Sequence, residues 1–274
     1  MKFLLLILAT LPLASTAQTL KVMTYNIRYD NPSDGVNAWT DGNRKEKVFT
    51  VINDNTPDIF GVQEALIHQV EALEQHFPSY QREGVGRDDG KKAGEHAAIF
   101  FKKERFKLLD SGNFWLSQTP DVPSKGWDAT CCNRICSWVK LQDQRTVFWV
   151  FNLHFDHEGR EAQQRSADLV LQKIKQIAKK GKVILMGDFN LPTEDVAVQK
   201  IASQLYDTQL SPTNATPAMG TFNQFKTDEP LRGHIDFIFV SKKIKVRNYQ
   251  IITTRIDGLY PSDHLPVITT LELN

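Results

Sequence analysis

The sequence predicts an α/β fold of the α+β type, and three observations carry that expectation. Residues 182–190 begin as the apolar run Lys182-Val183-Ile184-Leu185-Met186 and pass through Gly187 into Asp188, Phe189 and Asn190. A short run of this composition between turn signals reads as a strand buried on both faces. Just before it, residues 158–180 place Ala167, Val170, Leu171, Ile174, Ile177 and Ala178 on one helical face and close on Lys179-Lys180-Gly181, an amphipathic helix with its stop signal. Similar strands and helices alternate through the first half, and strands dominate the C-terminal half. The strand at 182–190 delivers Asp188 and Asn190 to its carboxyl end, where open α/β sheets place ligands, and at a spacing of two they point to one side. Their partners are therefore expected at the ends of other strands.

In chain order, residues 20–26 alternate apolar and polar side chains and read as the first strand, ending at Asn26. Val48, Val51 and Ile52 give residues 44–53 a helical period, closed by Pro57. Residues 59–62 read as a buried strand that delivers Gln63 and Glu64, followed by a helix over 65–76 and Pro78. Residues 82–96, rich in Gly and charge, read as a loop, with Glu95 at the start of a strand over 97–101. Residues 111–130 read as a long surface loop of the functional kind. Strands over 135–141 and 146–153 then alternate as a pair, the second delivering His154. After the strand at 182–190 come a helix over 194–203, a polar loop over 211–220, and strands over 235–240, 246–253 and 265–271. Asp236 lies in the first of these, and Ser262-Asp263-His264 precedes the last.

Residues 1–17 open with a single Lys2, run through Phe3-Leu4-Leu5-Leu6-Ile7-Leu8-Ala9 and end in Ala14-Ser15-Thr16-Ala17. A charged start, a short apolar stretch and a small-residue cleavage site read as a secretory signal peptide, too short to span a bilayer. The rest, 18–274, is expected to be a single domain, because no linker, repeat, low-complexity tract or second long apolar run divides it. It is expected to be exported to the periplasm or the exterior, with no transmembrane segment, and to act as a monomer. The sequence holds 33 Lys and Arg against 32 Asp and Glu, so without Lys2 the remainder is neutral. Neutrality gives no support to a broad basic surface for long nucleic acid, though it leaves room for a local groove. Cys131, Cys132 and Cys136 are the three cysteines. An exported chain permits one disulfide, expected between Cys136 and either Cys131 or Cys132 rather than between neighbours. A zinc site would need a fourth ligand from elsewhere and lacks the usual paired spacing.

Collected in order, the polar residues at strand ends are Asn26, Glu64, Glu95, His154, Asp188, Asn190, Asp236, Asp263 and His264. Alone, each reads as a turn former, a cap, a solvated carboxylate or a satisfied histidine. Together, at similar topological positions, they read as a site. The pieces Thr24-Tyr25-Asn26, Gln63-Glu64, Gly94-Glu95, Asn152-Leu153-His154, Gly187-Asp188-Phe189-Asn190, His234-Ile235-Asp236 and Ser262-Asp263-His264-Leu265-Pro266 span nearly the whole chain. In this order the set resembles the endonuclease/exonuclease/phosphatase superfamily, which includes pancreatic-type deoxyribonuclease, inositol polyphosphate phosphatases and deadenylases. Phe114-Trp115-Leu116-Ser117, Gly126-Trp127-Asp128 and Asp156-His157 look like stretches of its exported bacterial members.

The resemblance implies a four-layer, two-sheet β-sandwich flanked by helices, with the site at one end of the sheets, and metal-assisted hydrolysis of a phosphate ester. The residues fit that chemistry independently: a phosphate ester gains negative charge in the transition state, and a hard cation held by carboxylate and amide oxygens neutralises it. Mg²⁺ is the expected ion, with Mn²⁺ or Ca²⁺ also suited to all-oxygen ligation; Glu64 is the principal ligand, with Asn26 and Asp263 beside it. By the same resemblance Glu95 pairs with His154 and Asp236 with His264, each carboxylate fixing its imidazole. Asp188 and Asn190 would orient the attacking water and a phosphate oxygen; either Asp188 or the His264 pair would be the base. Trp39, Trp115 and Trp127 could stack on a sugar or base or simply pack under loops. Arg28, Arg134, Asp156 and His157 are candidate specificity residues, with surface ion pairing as the competing role. Asn214-Ala215-Thr216 matches a glycosylation triplet. The expected activity is hydrolysis of a phosphodiester or phosphomonoester of a compact substrate. The alternatives are an extracellular nuclease acting on DNA or RNA, and a catalytically silent binding protein on the same scaffold.

Overall fold

The structure, a computed structural model, describes residues 19–40, 43–211 and 219–273. The expected signal peptide at 1–17 and the triplet Asn214-Ala215-Thr216 lie outside the described residues. Within them the chain runs β1 (Thr19–Asn26), α1 (Arg44–Asn55), β2 (Ile59–Ala65), α2 (Ile67–His76), β3 (Tyr80–Glu83), β4 (His96–Lys102), β5 (Lys107–Trp115), β6 (Ile135–Asp143), β7 (Thr146–His154), α3 (Arg160–Ile177), β8 (Lys182–Asp188), α4 (Val196–Gln204), β9 (Tyr206–Asp207), β10 (Asp236–Val240), β11 (Lys245–Ile251) and β12 (Val267–Glu272).

The strands form two six-stranded mixed sheets, ordered β11-β12-β1-β2-β4-β3 and β5-β6-β7-β8-β10-β9. Val48, Phe49, Ile52, Val70 and Leu73 of α1 and α2 pack on the outer face of the first sheet. Ala167, Val170, Ile174, Val198 and Ile201 of α3 and α4 pack on the outer face of the second. The inner faces meet through Val22, Ile59, Ile99, Val150, Ile184 and Ile238. The result is the four-layer sandwich that the resemblance implied.

Strand alternation explains how a polar site grows out of this interior. On the inner faces the rows run Leu20, Val22, Thr24, Asn26 in β1; Ile59, Gly61, Gln63 in β2; Phe148, Val150, Asn152, His154 in β7; and Ile184, Met186, Asp188 in β8. Every row starts in hydrocarbon and ends polar. The polar ends coincide because β1 pairs parallel with β2 and β7 pairs parallel with β8. The antiparallel partners bring their amino ends to the same place, with Asp236 of β10 opposite Asp188 and Val267 of β12 opposite Thr24. Between hydrocarbon and site lies a layer of amides. Gln63 Nε2 donates to Thr24 Oγ1 at 3.0 Å and to Asn152 Oδ1 at 2.6 Å, and Asn152 Nδ2 donates to the carbonyls of Val62 and Ala98 at 3.0 and 2.9 Å. The bonds of Asn152 join one sheet directly to the other.

Three strands escaped the sequence reading: the two-residue β9, and β3 and β5, which run into residues 82–96 and 111–130 that it assigned to loops. β3 reaches residue 83 and pairs with β4, and β5 reaches residue 115 and pairs with β6. Both lie at sheet edges. No residue of β3 is fully buried, and in β5 only Phe114 and Trp115 are. Edge strands of this kind bury too little surface to need an apolar run.

The disulfide also departs from expectation: Cys131 bonds to Cys132, and Cys136 is a buried free thiol. Cys136 lies in β6 with its side chain in the apolar layer beneath α3, so the strand's alternation turns it away from the rim that holds the other two.

Gly187 marks the point where β8 must bend to present Asp188. Its φ is +147°, and a Cβ there would stand 2.1 Å from the Leu153 carbonyl oxygen of β7. Gly187→Ala is expected to cost about 3 kcal/mol of stability. Urea unfolding reads this directly, and an unchanged midpoint would show that β8 tolerates a side chain at its bend.

Candidate active site

Alternation alone would send Glu64 outward, since Phe60 and Val62 on the same row pack beneath the helices. A bulge shifts the β2–β4 register between Val62 and Ala65, and Glu64 itself is left-handed at φ 64°, which turns its carboxylate toward the site. Arg28 and Asn190 are left-handed too, at φ 58° and 52°. Strained backbones of this kind gather where function fixes them.

The carboxylates converge around Asn26. Its Nδ2 donates to Glu64 Oε1 at 3.0 Å and to Asp188 Oδ2 at 2.9 Å, and its Oδ1 accepts from the Arg28 amide at 3.0 Å. In this arrangement Asn26 braces two carboxylates. Tyr29 N donates to Glu64 Oε2 at 3.2 Å, and Arg28 Nη1 stands 3.9 Å from both Glu64 and Asp263. Ligating atoms of Glu64, Asp188 and His264 lie within 4.8 Å of one another. Burial, with the charge of Asp236 adding to it and that of His264 opposing, pushes Asp188 up to about 7. Burial and the Glu64 charge likewise raise Asp263. Crowded oxygen donors whose ionised forms are held back this way fit a hard divalent cation, which would relieve the repulsion.

The two histidines are held in opposite charge states. His264 Nδ1 bonds to Asp236 Oδ2 at 2.9 Å, and its Nε2 lies 3.8 Å from Asp188. Burial opposes its charge, yet Asp236 and Asp188 hold the imidazolium well above the usual range. His154 Nε2 accepts from Asn190 Nδ2 at 2.9 Å and lies 3.5 Å from Asp188. Burial, then the charges of Arg134 and Arg87, push His154 well below the usual range, so it is a neutral imidazole. The expected pairing of His154 with Glu95 is loose, at 3.7 Å. Glu95 instead accepts two bonds from Arg87, at 2.6 and 2.8 Å, and a fork-shaped guanidinium outcompetes a neutral ring for a carboxylate.

Glu64, Glu95, His154, Asn190, Asp263 and His264 line one cavity of about 410 Å³, with Asn26, Asp188 and Asp236 bonded to or beside them but outside its lining. Arg28, Arg134 and His157 also line it, whereas Asn26, Asp188, Asp236, Trp39, Trp115, Trp127 and Asp156 do not. Trp39 is 1% exposed and packs edge-on to Phe49. Trp115 is 6% exposed and donates its Nε1–H to the Arg87 carbonyl. Asp156 is buried 3.5 Å from Arg134 Nε, so it reaches the cavity only through that arginine. Asp128, from the Gly126-Trp127-Asp128 stretch, caps α3 by accepting from the amides of Glu161 and Ala162. Sequence reasoning missed Tyr29, Arg87, Phe222 and the Cys131–Cys132 pair, all of which line the cavity. For Arg87 the one local signal was its place in a Gly-rich loop that returns to Glu95; for Phe222 there was none.

A sandwich of two sheets ending in paired carboxylates and imidazoles defines a class. The chain belongs to the endonuclease/exonuclease/phosphatase family, whose model matches residues 23–264 and whose members hydrolyse phosphate esters. It is 37% identical to a family protein from Bacteroides thetaiotaomicron, over 94% of this chain and 98% of that one, with a TM-score of 0.88. It is 38% identical to a family protein from Bacteroides vulgatus, over 94% and 100% of the two chains, with a TM-score of 0.87. A mannosyl-6-phosphatase from Bacteroides thetaiotaomicron is 38% identical over 92% of this chain and 99% of its own, with a TM-score of 0.84.

Proposed function

We propose that this chain is an exported, divalent-cation-dependent phosphoesterase acting on a compact substrate, with the phosphate monoester of a sugar favoured. The carrying observation is that every arginine lining the cavity already faces an acid of the chain: Arg28 with Asp34 at 3.1 Å, Arg87 with Glu95 at 2.6 Å, and Arg134 with Asp156 at 3.5 Å. A protein that grips a duplex needs a row of cations free to meet successive phosphates. A cavity of about 410 Å³ lies instead in the range of small-molecule sites. Similarity to a mannosyl-6-phosphatase supports the sugar monoester. Leader-like residues 1–17 and a disulfide support export. No helix among the described residues is long and apolar enough to cross a membrane.

Mg²⁺, or Mn²⁺ or Ca²⁺ in its place, would be held by Glu64 and Asp263, with Asn26 beside them, and when bound it would neutralise charge growing on the phosphoryl oxygens. Asp188 is the group placed to take the proton of the attacking water. His264, held protonated, donates to a phosphoryl oxygen, while His154 and Asn190 orient the reacting group.

A panel of sugar phosphates, phosphodiesters, single strands and duplex DNA with Mg²⁺ tests this. Phosphate release is expected to be fastest from a sugar monoester, with substrate affinity losing less than about 1 log unit per log unit of salt, the slope of a single phosphate contact. Rapid plasmid digestion that collapses between low and physiological salt would sink the compact-substrate reading.

A further inference from the structure

Adjacent cysteines joined by a disulfide are an unusual lining for a phosphate site. Cys131 is exposed and Cys132 half-buried, and both face the cavity. Their position is fixed by the chain around them. Thr130 is hydrogen-bonded to Glu158, Asn133 Nδ2 donates to the Arg87 carbonyl at 3.2 Å, and the next residue is the buried Arg134.

A row of contacts leads from this disulfide along and beneath the cavity floor. Ligating atoms of Cys131 and His157 lie within 4.8 Å of each other. Arg134 Nη2 then meets His157 Nδ1 at 2.7 Å, and Arg134 Nη1 meets His154 Nε2 at 3.1 Å. His154 lies 3.5 Å from Asp188, Asp188 lies 3.8 Å from His264, and the His264 ring lies 4.9 Å from the Phe222 ring. Phe222 is anchored by backbone bridges to His264 and Arg232. The polar floor therefore runs between two apolar surfaces, a pair of sulfurs at one end and an aromatic face at the other. Neither offers a strong hydrogen-bond donor or acceptor, and both are polarisable.

We propose that the Cys131–Cys132 disulfide and Phe222 are the specificity walls of a leaving-group subsite that takes a carbohydrate ring. A sugar ring presents apolar C–H faces and a rim of hydroxyls, matching two soft walls with Tyr29, Arg28 and His157 beside them. The inference rests on the phosphoesterase reading, which supplies the phosphate end of the substrate. A cation bound by Cys131, Asp156 and His157 is the competing use of the same corner, but the Arg134 guanidinium already sits 2.7 Å from His157 and 3.5 Å from Asp156, where it would repel one.

If a ring lies against the disulfide, it shields the sulfurs from a thiol. In the full chain with Mg²⁺, the rate at which a dithiol reduces Cys131–Cys132, trapped by alkylation and read by mass, is expected to fall at least about fivefold with a saturating hexose phosphonate. Inorganic phosphate, which reaches only the phosphate end, should leave that rate nearly unchanged. Phe222→Ala, and separately Cys131→Ser with Cys132→Ser, should lower hexose phosphonate affinity relative to inorganic phosphate by about tenfold. Equal reduction rates with and without the phosphonate would overturn the proposal. Phosphate release from hexose phosphates by untreated protein is scored separately. Release without shielding sinks the walls and spares the phosphoesterase; shielding without release does the reverse.

Discussion

Glu64→Gln is expected to lower Mg²⁺ affinity sharply and to cut phosphate-ester turnover by about 10²- to 10³-fold, the several kcal/mol that a cation contributes to a phosphoryl transition state. Glu64 and Asp263 are the carboxylates proposed to hold the ion, and Arg28 already offsets part of their charge from 3.9 Å away. Removing one negative charge leaves little to hold a divalent ion. The substitution keeps the shape of the side chain and an oxygen for the Tyr29 amide, so the melting temperature should change little. Calorimetric titration with Mg²⁺ and Mn²⁺, beside turnover at low and high metal, separates the outcomes. Full turnover at low Mg²⁺ would remove Glu64 from the metal site.

Asp236→Asn and His264→Ala are each expected to cost about 10²- to 10³-fold in kcat, with the double variant little worse than the single ones. The reason is the 2.9 Å bond between His264 Nδ1 and Asp236 Oδ2: a histidine without its carboxylate and a carboxylate without its histidine lose the same thing. Asp236 also holds the His264 proton in place. Without that negative charge the imidazolium loses its proton at lower pH, so the alkaline limb of the pH–rate profile should move toward lower pH in Asp236→Asn. The contrast lies at the other histidine. Glu95 is spent on Arg87 and stands 3.7 Å from His154, so Glu95→Gln and His154→Ala should combine close to additively. Additivity at the His264 pair, or strong coupling at the His154 pair, would contradict the geometry.

The polar centre of this site was legible because its residues end strands. Asp188, His154 and Asn26 each close a row whose earlier members are hydrocarbon, and that change in polarity is visible along the chain. Glu64 was legible by resemblance, although simple alternation would have placed it outside; the bulge that rescues it leaves no local mark. The rim was a different matter. Trp39 and Trp115 lie in segments whose composition says loop, yet they are buried by contacts with distant residues. Arg87 meets Glu95 only because a bridge between Gly86 and His96 folds the loop back on itself. The neighbouring cysteines were passed over because a bridge to Cys136 was the geometrically easier choice, and only the burial of Cys136 inside the second sheet removes it.

Gln63 and Asn152 belong to the motifs that mark the family, yet neither reaches the cavity. Their bond at 2.6 Å behaves as a dowel. Two apolar sheet faces can slide past each other at small cost, since hydrophobic contact has no direction; a buried amide pair cannot slide without abandoning its partners. Because Asn26, Glu64 and Asp263 come with one sheet and His154, Asp188 and Asp236 with the other, any slip would pull the proposed cation ligands away from the groups proposed to handle the proton. The two halves of the site are thus aligned at the centre, and the rim, where Phe222 and the paired sulfurs line the cavity, can change without disturbing the joint.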